Sequence, residues 1–389
     1  MRILMTSDVY FPRVNGVSSS IMTFRREFLG RGHEVVLVAP DYTGANGDDE
    51  PGILRAPSRP IFFDPEDRLI RPGSGGRVEE TLAGRRFDLI HIHTPFMAHR
   101  LGAHLSNRWD VPRVETYHTF FEAYLEAYVP LVPGRWFRGL ARRVSRRQCD
   151  NVHHVVVPSR PMRDALRGYG VKNDIRVIPT GIELDAFREG NGARFRARHG
   201  IEPERPVLVY VGRVAREKNI GFLLRMLAEV KRDHPDVLLV IAGRGPAEAE
   251  LHRQAAELGL TDHLLFVGYL DRGGELQDCY RAGHAFVFAS RTETQGLVLL
   301  EAMALGVPVV STAVMGTRDV LVDGEGGLVA AEEPAAFAER VGTLLADPAL
   351  QAEQAARARA YARRWSAPTL AGEMLDFYDE VVEEYREAW

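Results

Sequence analysis

The chain predicts a doubly wound α/β protein built as two similar domains in tandem, and three observations carry that expectation. Short apolar runs recur along most of its length, each bounded by turn residues and followed by a helical pattern. The series runs once over residues 1 to about 180 and begins again near residue 205. Between the two lies a polar, Gly- and Arg-rich stretch, 185–205, that reads as a linker. The 389 residues suffice for two domains with full cores.

In the first series the strands are RILMTS at the start, EVVLVA (34–39), DLIHIH (88–93), PRVETY (112–117), HHVVVP (153–158) and IRVIP (175–179). A helical pattern that begins near Ser18 and stops at Gly32 follows the first strand. Residues 41–80 read as irregular, with PGSGG (72–76) a mobile loop. The second series contains RPVLVYVG (205–212), VLLVIAG (237–243), HLLFVG (263–268), AFVFAS (285–290) and VPVVST (307–312). Helical patterns over 333–363 and 367–388 close the chain. Ligands of open α/β sheets bind beyond the C-terminal ends of the strands, so a cleft between the strand ends of the two domains is the expected site.

Composition narrows the function classes. The chain is 45% hydrophobic and 26% charged, with a net charge of -4 and a pI near 6.4, so no global charge argues for nucleic acid. Cys149 and Cys279 fit neither a metal pattern nor a disulfide framework, which points to a reducing cytoplasm. The chain opens directly on a strand with no secretory signal, and no apolar run reaches membrane-span length. Only three lysines occur beside 46 arginines. Residues 1–180 carry 26 basic and 20 acidic side chains and the remainder 23 and 33. The basic first half is either chance or a surface for an anionic partner.

The most informative stretch is ASRTETQGLVLLE (289–301). Glu293 falls in the loop after a strand, and Glu301 falls inside the following helix, which stops at Gly306 before Pro308. The backbone N–H groups of Gln295, Gly296 and Leu297 then meet the positive end of the helix dipole. Amides for phosphate and carboxylates for hydroxyls suit a phosphorylated, polyhydroxylated ligand; the plainer reading is a capping loop with one surface glutamate. In VGRVAREKNI (211–220) a strand ends at Gly212, and Arg213 and Lys218 follow before a helix, where cations are mildly unfavourable. A guanidinium fork and a compact ammonium suit a diphosphate; a solvated pair is the competing account. Gly16, after Asn15 and before a helix, permits close backbone approach, or simply makes a turn. The G-x-G-x-x-G dinucleotide fingerprint is absent. His118 lies just past a strand end beside Thr116 and Thr119, placed for a cleft or satisfied within its loop. Along RWFRGLARRVSRR (135–147), Arg135, Arg138, Arg142 and Arg146 form one stripe, with Trp136, Phe137, Leu140 and Val144 opposite. Either that basic face meets an anionic bilayer, or the apolar face packs on its own domain and leaves the arginines in water.

NGV near residue 15, YHT near 118, VPSRPMRDALRGYG (157–170), VIPTGIELDAF (177–187), Gly212-Arg213 with Lys218, and the Glu293-to-Glu301 segment occur in order along nearly the whole chain. The combination resembles the retaining glycosyltransferases of family GT4. The resemblance implies the GT-B fold, with two Rossmann-like doubly wound domains and a C-terminal helix crossing back. Residues 1–185 with 367–389 would form the acceptor-side domain and 186–366 the nucleotide-sugar domain. The family's roles, carried onto matching positions, put His118 and Glu293 at the reacting centre. Gly16, Arg213, Lys218, Gln295, Gly296 and Leu297 would lie on the donor diphosphate and Glu301 on the ribose. Arg244, Tyr269 and Leu270, at strand ends beside the motif, are assigned to the nucleotide base. In such transfer the leaving diphosphate helps deprotonate the acceptor, so His118 need not be a base. The expected donor is UDP-glucose, with no tightly bound cofactor, no obligatory metal and no nucleic-acid partner.

Within the family, YHTFFEAYLEAYVP (117–130) and the basic helix are most similar to bacterial diacylglycerol α-glucosyltransferases. That implies a membrane lipid acceptor, with Tyr124 and the four stripe arginines on the acceptor or membrane side. The protein would then be cytoplasmic or peripheral on the inner face of the cell membrane. The run lacks the second histidine those enzymes commonly carry. A soluble sugar, sugar-phosphate or polyol acceptor therefore stays open. So do a GT-B nucleotide-sugar epimerase, a nicotinamide oxidoreductase and a non-catalytic sugar-binding module.

Overall fold

The computed structural model describes residues 1–42, 51–61, 64–118, 134–322 and 324–388. They fall into two compact units, Met1–Gly181 with Ala367–Trp389, and Ile182–Ser366. In the first unit the strands are β1 (Arg2–Thr6), β2 (Glu34–Pro40), β3 (Ile53–Ala56), β4 (Ser58–Ile61), β5 (Asp64–Ile70), β6 (Leu89–Ile92), β7 (Arg113–Thr116), β8 (His154–Val157) and β9 (Asp174–Val177). Seven of them form a parallel sheet in the order β3-β2-β1-β6-β7-β8-β9. Strand order reverses between β1 and β6, so their C-terminal ends open on the switch point of the sheet. Ile3, Leu4 and Met5 of β1 are all fully buried, as expected of a parallel sheet covered on both faces.

Two helices cover one face. Gly16–Gly30 starts where the Asn15 side chain accepts the Ser18 N–H at 2.9 Å. It buries Phe24 and Phe28, and Phe28 meets Tyr378 of the helix Ala367–Glu387 edge-on at 5.7 Å. The C-terminal helix thus belongs to the core of the first unit.

The structure corrects the reading of 41–80 as irregular. Ile53–Ala56 adds a parallel strand beside β2, and β4 pairs antiparallel with β5. PGSGG is the start of a helix, Ser74–Thr81, entered through Gly73 at φ 88°. These short elements carry mixed polar and apolar residues with no clean period, so tertiary pairing rather than local pattern forms them.

In the second unit β10 (Val207–Val211), β11 (Leu238–Ala242), β12 (Leu264–Gly268), β13 (Ala285–Phe288), β14 (Val309–Ser311) and β15 (Leu328–Val329) build a parallel sheet. Its order is β12-β11-β10-β13-β14-β15, and the reversal lies between β10 and β13. The stretch 185–205 is not a linker. It holds the helix Gly192–Arg198, whose Phe195 is buried and which packs on the helix Glu275–Ala282. The approach is close enough that a Cβ on Gly192 would lie 2.2 Å from the Arg281 carbonyl oxygen. The helical pattern over 333–363 is two helices, Pro334–Ala346 and Pro348–Ala362, divided where Asp347 caps the second by accepting the Ala349 and Leu350 N–H groups.

Candidate active site

Each sheet brings chemistry-bearing side chains to its own switch point. In the second unit β10 runs out through Gly212 and Arg213, and a 3-10 turn, Arg216–Lys218, precedes the helix Ile220–Asp233. β13 runs out into the loop that carries Glu293. The two strands are neighbours, so Lys218 and Glu293 meet: the ammonium donates to Glu293 Oε1, both side chains being about one-fifth exposed. Asn219 Nδ2 donates to the Ala289 carbonyl at 3.1 Å and ties the two strand ends together. The Tyr210 hydroxyl donates to the Arg213 carbonyl at 3.1 Å; burial, with the nearby Glu293 charge, holds that phenol well above its usual pKa.

The Glu293 loop is held from behind. The Gly316 N–H donates to the Glu293 carbonyl at 2.9 Å, and a Cβ on Gly316 would fall 2.0 Å from the Thr294 carbonyl oxygen. Gly296, at φ 97°, turns the chain into the helix Leu297–Ala304 and supplies no side-chain cap. Leu297 therefore begins the helix with its amide at the positive end of the dipole. Gln295 is buried beside it.

Glu301 lies on the buried face of that helix. Its Oε1 accepts from Arg272 at 2.7 Å and its Oε2 from the Tyr280 hydroxyl at 2.8 Å. The Glu301 charge raises the Arg272 pKa against the effect of burial, and burial with the same charge raises the Tyr280 phenol. The Arg272 guanidinium also covers the Phe187 ring at 5.5 Å. At the ends of β11 and β12, the Gly243 N–H donates to the Gly268 carbonyl at 2.8 Å, and Arg244 lies against Gly268. Tyr269 is 52% exposed, whereas Leu270 packs on the core.

In the first unit Gly16 opens the helix after β1 with nothing near its Cα that a side chain would strike. Asp8, just past β1, is clamped by the Ile70 and Ala98 N–H groups at 3.1 and 2.8 Å and by Thr94 Oγ1 at 3.1 Å. Burial, only partly offset by these bonds, raises its pKa to about 6. Past β6 and β7 stand His93 and His118, with His93 Nδ1 3.2 Å from His118 Nε2. His91 lies behind them, ring to ring with His93 at 4.0 Å, bonded to Thr116 Oγ1 at 2.6 Å and to the Tyr378 hydroxyl. Burial lowers the pKa of His91 and His118 to about 3 each.

This sequence and fold match known proteins. The family model "Glycosyltransferase Family 4" covers residues 14–186, and "Glycosyl transferases group 1" covers 192–365. An alpha-monoglucosyldiacylglycerol synthase of Streptococcus pneumoniae is 34% identical over 317 residues, 80% of this chain and 71% of that one. The chain belongs to the family 4 glycosyltransferases. A D-inositol 3-phosphate glycosyltransferase of Xylanimonas cellulosilytica is 33% identical over 386 residues, 93% of this chain and 91% of that one. Among solved structures, sucrose-phosphate synthase from Thermosynechococcus elongatus superposes with a TM-score of 0.80 at 22% identity, covering 98% and 99% of the two chains. That likeness places the glycosyltransferase in the GT-B fold class.

Of the residues singled out in the sequence of this glycosyltransferase, Lys218 and Glu293 are in contact. Arg213, Gln295, Gly296 and Leu297 lie on the loops that frame them. His118 and Gly16 occupy the first unit. Tyr124 lies outside the described residues. So do the side chains of Arg135 and Arg138, on the helix Gly134–Cys149. That helix packs on its unit neither through Leu140 nor through Val144, which are 57% and 47% exposed. It packs through the small residues Ala141, Ser145 and Cys149, with Ser145 bonded to the Tyr117 hydroxyl at 2.6 Å. Arg142 covers the Tyr169 ring at 5.5 Å, and Arg146 pairs with Asp150 at 3.4 Å. The exposed Arg143 and Arg147 are the arginines that share a face with Leu140 and Val144. Sequence reasoning passed over Tyr280, Gly316 and the His91–His93 pair, and took Arg272 only as part of VGYLDRGG (267–274), the stretch it assigned to the base. Only the H-x-H at the end of the third apolar run carried a local signal, two imidazoles on one face of a strand.

Proposed function

We propose that this glycosyltransferase moves glucose, with retention of configuration, from UDP-glucose to diacylglycerol at an anionic membrane surface. The observation that carries the donor half is the Lys218–Glu293 pair at the β10/β13 switch point, beside an uncapped helix start. An anionic diphosphate competes with Glu293 for the Lys218 ammonium and meets the uncapped helix amides. The displaced carboxylate is then available to accept hydroxyl groups of a sugar. The departing phosphate is stabilised in place by groups already oriented, which is where electrostatic catalysis is strongest. Glu301, held by Arg272 and Tyr280, would meet the ribose, and Arg244, Tyr269 and Leu270 the base. A solved Anabaena relative, TM-score 0.78 at 19% identity, is described in complex with UDP-glucose.

The lipid half is supported by relatives named alpha-monoglucosyldiacylglycerol synthase and by the outward face of the helix Gly134–Cys149, where Leu140 and Val144 stand exposed among arginines. No helix among the described residues is long and apolar enough to cross a membrane. The second reading is a soluble phosphorylated polyol acceptor, favoured by the D-inositol 3-phosphate glycosyltransferases, one of which aligns over 93% of this chain.

The test is a transfer assay with purified protein and radiolabelled UDP-glucose, UDP-galactose or GDP-mannose. Diacylglycerol in anionic vesicles and inositol 3-phosphate are supplied as separate acceptors. Lipid-dependent turnover of UDP-glucose that weakens in high salt supports the first reading. Turnover onto inositol 3-phosphate and indifferent to vesicles replaces it with the second.

A further inference from the structure

His93 is 1% exposed and stands immediately past β6, at the switch point of the first sheet. Its Nδ1 is bonded to His118 Nε2 at 3.2 Å, and its Nε2 is buried without a hydrogen-bond partner among the described residues. Two neutral imidazoles joined in this way have two possible proton placements. If His118 Nε2 donated, the His93 proton would sit on Nε2, a buried N–H with no acceptor. If His93 Nδ1 donates, the bare Nε2 is only an unused lone pair. Orphaned buried N–H groups are the rarer defect in folded proteins. The second placement is therefore the favoured one, and it puts the proton of His118 on Nδ1.

We propose that His93 is a positioning residue that fixes His118 as an Nδ1–H hydrogen-bond donor, through the bond from His93 Nδ1 to His118 Nε2. Both rings are neutral, because burial and the mutual repulsion of charged imidazoles hold His93 well below its ordinary pKa. The His93 ring cannot swing freely, since His91 lies against it and is itself held by Thr116 and by Tyr378 of the C-terminal helix. His118 Nε2 has its lone pair occupied and does not accept a proton there. What His118 offers is a neutral N–H for a hydroxyl or phosphoryl oxygen, so it orients substrate and is not a base through Nε2. This deepens the proposed function and rests on the family resemblance that puts His118 at the reacting centre, where it would meet the substrate.

The experiment is nitrogen-15 NMR of the full-length protein labelled at histidine, with transfer kinetics for His93→Leu and His93→Asn. Wild type should show His118 protonated on Nδ1. The His93→Asn side chain can place a donating amide near the position of Nδ1 and should keep that tautomer; His93→Leu should lose it. The kcat of His93→Leu should fall about tenfold, with donor KM within about twofold, and His93→Asn should recover most of the loss. A wild-type His118 protonated on Nε2 overturns the proposal, and needs no variant to fold. So does a His93→Leu protein with unchanged tautomer and kcat. Full transfer by His118→Ala would instead sink the reading of His118 as a substrate contact, and the tautomer would still report on His93.

Discussion

Lys218 is one of three lysines among 49 basic residues, and its neighbour is a carboxylate that the sequence places 75 positions away. In the proposed function this compact ammonium exchanges its Glu293 partner for a donor phosphate. Replacing Lys218 with Ala should lower kcat/KM for the nucleotide sugar by about a hundredfold, the scale of losing one preorganised charge-stabilising donor. Steady-state kinetics checks it, and a change under threefold would remove Lys218 from the donor site. Glu301 depends on its partners differently, because its side chain is 7% exposed and its charge is compensated by Arg272. Arg272→Met leaves that carboxylate buried with Tyr280 alone. The variant should unfold at lower urea, with a loss on the order of 3 kcal/mol.

At the scale of elements, the ends of β10 and β11 approach too closely for side chains. A Cβ on Gly243, at φ 138°, would fall 1.9 Å from the Gly212 carbonyl oxygen. Gly243→Ala should therefore cost more than about 2 kcal/mol in a denaturant titration, since strain and clash add. The helix Gly134–Cys149 gives the opposite case. Its small residues face inward, and Leu140 and Val144 stand in solvent. The double change Leu140→Ser, Val144→Ser should alter stability by no more than about 0.5 kcal/mol. It should nonetheless weaken cosedimentation with anionic vesicles several-fold. Equal sedimentation of the two proteins would show that this face is not what meets lipid.

Over the whole molecule, buried titratable groups set the response to acid. His91, His93 and His118 are kept neutral, chiefly by burial, with folded pKa values near 3 for His91 and His118. The unfolded chain titrates its histidines near 6.5, so below that pH it binds more protons than the native state. Stability tied to these groups is complete above about pH 6.5 and is lost as pH falls toward 3. Asp8 acts with the opposite sign. Its pKa rises from 3.8 to about 6, so the native state binds the extra proton between those values and loses that stability as pH rises through 6. His33, His153, His199 and His284 are lowered as well, and together the lowered histidines outweigh Asp8 and His99, whose pKa values are raised; each unbalanced proton is worth about 1.4 kcal/mol per pH unit. Urea midpoints should fall steadily from pH 7 to pH 5, and a midpoint that rises over that interval would contradict the balance.

The two parallel sheets were legible in the amino-acid order alone, because strands buried on both faces must be continuous apolar runs such as VLVYV in β10 and AFVF in β13. So was the position of Arg213, Lys218 and Glu293 just past strand ends, since a strand's end is a local property. The elements β3 to β5, and the helix Gly192–Arg198 inside an apparent linker, were not, because they gain their order from partners distant in sequence. Folding in three dimensions was needed to bring Lys218 against Glu293, to set Arg272 and Tyr280 on Glu301, and to back His91 with Tyr378 of the last helix. Each of these contacts joins residues far apart along the chain. Strand order sets which ends become neighbours, and no local periodicity encodes that order.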